Sequence, residues 1–175
     1  MFLHYFNKKE NNDKIIANRI YKYIILYVQN IVKNKDLHIK SNFNTSFELI
    51  SILIFIIFFS YKKQSGDRKI KQLLMDIYID DLDKSLREIG IGDMSIGKYV
   101  KSYVKKVYYR LNKLENIFQN NDDDAFFKYI CKIDIQSKDG QISELSNYLF
   151  KFINKLLNNA KKEELSDFKV KIDII

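Results

Sequence analysis

The sequence predicts an all-α fold, a single-domain bundle of about five to six helices. Three observations predict it. Proline is absent from all 175 residues, which leaves long periodic stretches free of the strongest helix breaker. Apolar residues recur at intervals of three and four in one stretch after another, the spacing that lines one face of a helix. Apolar residues make up 46% of the chain and charged residues 30%, the balance of a globular domain rather than a disordered tail.

Residues 1–12 are expected as a flexible N-terminus, 13–164 as the helical domain and 165–175 as a tail that alternates charge and apolarity. The first helix covers residues 13–33, where Ile16, Ile20, Ile24, Tyr27, Val28 and Ile31 share a face. A polar loop follows over 34–45, and Thr45 or Ser46 offers a cap for the next helix. Residues 49–59 are apolar apart from Ser51. With its flanks this block spans about 15 residues, short of the roughly 20 that cross a bilayer core. It reads foremost as a central buried helix. A membrane-dipping or client-facing helix is the sharper alternative, and its β-propensity also allows a buried strand.

Ser65-Gly66-Asp67 breaks the chain, and residues 68–89 form a third helix. One of its apolar edges carries Ile70, Leu73, Leu74 and Ile77, and the other Tyr78, Leu82, Leu86 and Ile89. Gly90 and Gly92 stop it, as residues that accept positive φ beyond a helix end. Asp93 or Ser95 caps the fourth helix, residues 96–119. There Val100, Val104, Val107, Leu111, Leu114 and Phe118 step by four and three into a narrow apolar stripe. Lys98, Lys101, Lys105, Lys106, Arg110 and Lys113 take the opposite half, with no acid before Glu115. A short helix over 125–132, a loop around 137–140 and a last amphipathic helix with Ile142, Leu145, Leu149, Phe152, Leu156 and Ala160 complete the bundle.

Catalysis has no credible carrier. Cys131 is the lone cysteine, which excludes an intramolecular disulfide and suits a reducing compartment. His4 and His38 sit outside any ligand constellation, and no nucleophile–base pair stands out. Asp76, Asp80 and Asp83 share a helical face and are similar to the aspartate motif of all-α isoprenoid synthases. The second metal motif and the length of those enzymes are missing, and Asp83 with Arg87 is a plain i, i+4 ion pair. The glycines of residues 90–98 fit neither phosphate-loop spacing nor a strand-to-helix setting, so they read as an interhelical turn. No cofactor and no metal are expected. The N-terminus reads as neither a signal nor a transit peptide, which points to a bacterial cytoplasm.

The net charge of +8 concentrates function on the basic face of the fourth helix, where Tyr99, Tyr103, Tyr108 and Tyr109 stand among the cations. An acidic counter-surface follows from six unrelieved cations, be it nucleic acid, a ribosome or an anionic membrane. No helix-turn-helix or RNA-binding signature accompanies them.

Residues 75–98 carry a longer pattern. Asp83, then Leu86-Arg87-Glu88, an apolar residue, Gly90, Gly92-Asp93, and Gly97-Lys98 at the start of a basic helix match the ubiquinol–cytochrome c chaperone family position by position. Tyr108 and Arg110 match its later Tyr-x-Arg pattern, with Tyr109 in place of the usual small residue. Upstream, Phe47 suits the family's Gly-Arg-Phe position, with Thr45-Ser46 in place of Gly-Arg, and the histidine of the following apolar helix is missing near Leu53. The chain thus resembles this family. The resemblance implies an α-helical, non-catalytic assembly factor that binds newly made cytochrome b and promotes assembly of ubiquinol–cytochrome c reductase. It also implies a possible small helper protein and, in mitochondrial members, the ribosomal tunnel exit. Arg87, Glu88, Asp93, Lys98, Lys101, Lys105, Tyr108 and Arg110 are the expected partner-binding residues. Arg87 and Asp93 equally suit a lock on the turn. The expected location is the bacterial cytoplasm, with a peripheral position on the inner membrane as the alternative. The rival reading is a basic RNA- or ribosome-binding protein without client specificity.

Overall fold

A computed structural model describes residues 2–60, 67–137 and 140–160. Among the described residues are six α-helices: α1 (Phe2–Lys33), α2 (Phe43–Ser60), α3 (Asp67–Glu88), α4 (Asp93–Gln119), α5 (Asp123–Ile133) and α6 (Ile142–Ala160). The all-α bundle expected from the sequence is therefore what forms. The Ser65-Gly66 break and the tail at 165–175 lie outside the described residues.

The hydrophobic pattern explains the layout. In α1, Ile16, Ile20, Ile24, Tyr27, Val28 and Ile31 are all buried, the same stripe that the spacing selects. The backbone is already helical from Phe2, ahead of Asp13. Helix α2 has no polar face to turn outward, so it takes the centre of the bundle, against α1, α3, α4 and α6. Every residue from Phe47 to Ile57 is buried. This is the helix long and apolar enough, among the described residues, to cross a membrane, yet 67% of it is buried inside the protein. It is a core helix, not a strand. Ser51 is tolerated there because its hydroxyl donates to the Phe47 carbonyl at 2.7 Å. Around it, α1 packs on α3, α3 on α4, and α5 on α6.

Aromatic rings join the second half of the bundle. Phe118 of α4 stacks on Phe150 of α6 and meets Phe126 of α5 edge-on, and Phe55 of α2 lies 5.5 Å from Phe118 between ring centres. Each fully buried ring or aliphatic side chain contributes about 1.5–3 kcal/mol relative to exposure.

The loop after α1 is more ordered than its polar composition implies. A 3-10 turn over Lys35–Leu37 is capped by the Asn34 side chain, and an isolated antiparallel bridge pairs Ile39 with Gln136. The Ser137 N–H donates to the His38 carbonyl at 2.7 Å, and Lys40 pairs with Asp134 at 2.6 Å. These links tie the two inter-helix loops together at one end of the bundle. Asp122 caps α5 by accepting from the Ala125 N–H at 2.8 Å.

Candidate partner-binding site

The candidate site is built at the corner between α3 and α4 and along α4. The end of α3 is a Schellman motif. The Gly90 N–H donates to the Arg87 carbonyl at 2.9 Å and the Ile91 N–H to the Leu86 carbonyl at 3.0 Å. Gly90 has φ +97°, a backbone region that L-residues rarely adopt, so glycine is favoured here. Leu86 is buried and Ile91 packs against the core, the apolar contact that accompanies this motif.

Arg87 bridges the corner. Its Nε donates to Asp83 at 2.5 Å and its Nη1 to Asp93, so one guanidinium joins the last turn of α3 to the first turn of α4. Hydrogen bonding to Asp83, then to Asp93, pushes its pKa up and fixes the charge. Asp93 is not the cap of α4: Gly92 holds that position with extended backbone, and the Ser95 and Ile96 N–H groups bond to its carbonyl. The sequence offers Asp93 or Ser95 for that role, but Arg87 engages Asp93, and the Ser95 hydroxyl turns back to the Gly92 carbonyl at 3.1 Å. Glu88 is exposed beside them.

Along α4 the apolar stripe is displaced toward the C-terminal half. Ile96, Val107, Leu111, Leu114, Ile117 and Phe118 are buried, whereas Val100 and Val104 are only half-buried. Tyr103 explains part of this, since it packs edge-on against Phe43 and Phe47 of α2 and shares the cover. The outward face holds Lys98, Lys101, Lys105 and Tyr108 at three-, four- and three-residue steps, all exposed. Tyr99 and Tyr109 are exposed beside them, and the Lys106 ammonium sits over the Tyr103 ring at 4.2 Å.

Arg110 does not join that face. Its Nε and Nη2 donate to the two carboxylate oxygens of buried Glu48 on α2, its Nη1 donates to the Lys106 carbonyl, and its guanidinium lies over the Phe47 ring. Burial works against its charge, but the hydrogen bonds and attraction of Glu48 outweigh it and move its pKa up. The hydroxyls of Tyr78, Tyr129 and Thr45 are also buried, without a well-formed hydrogen bond. For Tyr78 and Tyr129, burial first, with the Glu48 charge adding, pushes the phenol pKa up. Arg110 is thus a strut between α4 and α2. Nothing in the apolar context of Glu48 identifies its partner 62 residues away. The one available signal is that Arg110 is the sole arginine among the lysines of α4.

Three carboxylates of α3 are likewise taken up singly. Asp76 accepts from Gln72 at 2.9 Å, Asp81 from the Tyr21 hydroxyl at 2.6 Å, and Asp83 from Arg87.

With that geometry in place, comparison with known proteins is informative. A family model described as ubiquinol-cytochrome C chaperone matches residues 35–166, which include α2 to α6 and the whole site. The crystal structure of the Cbp3 homolog from Brucella abortus is similar over 100% of this chain and 99% of that chain, with a TM-score of 0.81 and 20% sequence identity, a likeness of fold. None of the curated proteins compared matches the chain. Because the family model spans most of the sequence, the chain belongs to the ubiquinol–cytochrome c chaperone family, the assembly chaperones of respiratory complex III.

Proposed function

We propose that this protein is a non-catalytic chaperone that binds newly made cytochrome b, on the cytoplasmic side of a bacterial inner membrane, and promotes its entry into ubiquinol–cytochrome c reductase. The observation that carries the reading is the family match across residues 35–166. The chemistry of the chain agrees with it. Asp83, Arg87 and Asp93 at the corner are held in structural ion pairs, and the outward chemistry is a binding face of lysines and tyrosines. Arg87 and Asp93 fix the α3–α4 corner, Glu88 stands at its edge, and Lys98, Lys101, Lys105 and Tyr108 make contact, while Arg110 supports α4 from within. A small helper protein and the ribosome are further partners to be sought at the same face.

Deleting the gene and measuring assembled cytochrome b by its reduced-minus-oxidised haem absorbance tests the reading. Loss of the b-type signal, restored by the intact chain, is the expected result. Unchanged cytochrome b sinks it.

A further inference from the structure

Three features of α4 and its corner point beyond client binding. First, the exposed rows of α4 are of one sign. Met94, Lys98, Lys101, Lys105, Tyr108 and Asn112 follow one another at helical spacing, flanked by Tyr99, Ser102, Lys106, Tyr109 and half-buried Lys113, and neither row holds an acid before Glu115. From Met94 to Lys113 this face runs about 28 Å. Second, the cations that face outward are lysines. The arginine of the helix is turned inward to Glu48, and Arg87 is held by two aspartates. Arginine's fork suits bidentate recognition of individual phosphates, whereas lysine acts as a point charge on a long apolar stem and suits a diffuse layer of negative charge. Third, one end of the face carries aliphatic side chains in water. Met94 is fully exposed and Ile89 is 55% exposed, on either side of the short α3–α4 turn. Tyr99, Tyr108 and Tyr109 are 43%, 50% and 63% exposed.

An extended nucleic-acid backbone has no use for exposed Ile and Met at the tip of a lysine row. A lipid surface uses every part of the arrangement. Lysines meet the headgroup charge, tyrosines settle at the polar–apolar boundary, and the aliphatic tip enters the acyl region. We therefore infer that the outward face of α4, with Ile89 and Met94 at its end, docks the protein on an anionic phospholipid surface. The corner is stiff enough for this role, since the Gly90 turn and the Arg87 bridge to Asp83 and Asp93 hold the tip in place. The inference concerns the membrane and stands whichever client the chaperone takes.

Sedimentation of the full chain with vesicles tests it, using phosphatidylcholine alone and phosphatidylcholine with phosphatidylglycerol, at about 0.1 M salt. Binding to the anionic vesicles only, weakened by added salt, is expected. Replacing Lys98, Lys101 and Lys105 by glutamine weakens it on the order of a hundredfold, from about fivefold per lysine. Ile89→Ser with Met94→Ser leaves the charge unchanged and weakens binding about tenfold. Circular dichroism and thermal melts of both variants confirm that they fold, as expected for exposed positions. Equal sedimentation with neutral and anionic vesicles overturns the inference, as does anionic binding that survives the lysine changes. So does lysine-dependent binding of a structured RNA without vesicle binding, which transfers the face to nucleic acid. If the lysines matter and the serine pair does not, the inserted tip is overturned.

Discussion

Arg110 points a third of a turn or more away from Lys98, Lys101 and Lys105. It lies on the row of Tyr103, Val107 and Leu114, at the inner flank of α4, where its guanidinium reaches Glu48 and leaves solvent. A buried ion pair adds little over a well-packed apolar pair, but removing one partner leaves a charge stranded in the core. Arg110→Ala should therefore cost about 3–5 kcal/mol, while Glu48→Leu with Arg110→Met should cost far less and approach neutrality. Urea unfolding of the single and double variants checks this; a double variant as unstable as Arg110→Ala counts against the account. The sequence makes a lysine face legible, but it cannot show that one cation in the series belongs to the interior. That depends on an acid on another helix. A second consequence of burial concerns pH. The phenols of Tyr21, Tyr27, Tyr78 and Tyr129 are all pushed up from their usual value, first by burial, and for Tyr21 also by its bond to Asp81. Unfolded tyrosines ionise near about pH 10, so above it the folded state keeps protons that the unfolded state has released. Their stabilisation is complete below that pH and declines above it, by about 1.4 kcal/mol per pH unit for each tyrosine still protonated in the fold. Urea midpoints taken from about pH 8 to about pH 11 should hold up to pH 10 and then fall. Midpoints that stay level across that range contradict the assignment.

At the scale of elements, the α3–α4 connection depends on a single backbone conformation. No atom stands within 4 Å of where a Cβ on Gly90 would be, so a substitution there meets strain and not a clash. Gly90→Ala should destabilise by about 1 kcal/mol, and Gly90→Asn by less, because asparagine tolerates the left-handed region better. Chemical denaturation measures both, and equal losses for alanine and asparagine would point to something other than φ. The stop at Gly90 is readable from the sequence because a glycine closes a periodic stretch. The cap of α4 is not, since Gly92 has no side chain to advertise the role and the two polar candidates beside it are diverted to Arg87 and to the Gly92 carbonyl. The bridge between Ile39 and Gln136 is hidden for a different reason. It joins loops 97 positions apart, and loop composition carries no record of a distant partner.

For the whole molecule, the decisive question is what covers α2. Its composition is compatible with a bilayer and with a core, and only the neighbours decide: α1, α3, α4 and α6 surround it, and residues 47–57 are buried. The periodicity of the other helices predicts that each has one apolar face to place, but not which faces meet, so the central position of α2 follows from its lack of a polar side and not from any pairing signal. A helix enclosed in this way can lose its hydrogen bonds only when its neighbours leave. Amides at residues 49–57 should therefore exchange with deuterium in the slowest class of the protein, at rates that follow global unfolding as urea is added. The docking face on α4 lies on the outside of the bundle, so anionic vesicles should leave those amides unchanged while altering exchange near the exposed α3–α4 turn. Faster exchange at 49–57 in the presence of vesicles would mean that the bundle opens on the membrane and releases α2. Together, slow exchange in α2 and a response confined to the corner would establish a protein that meets the bilayer with its surface and keeps its most apolar helix inside.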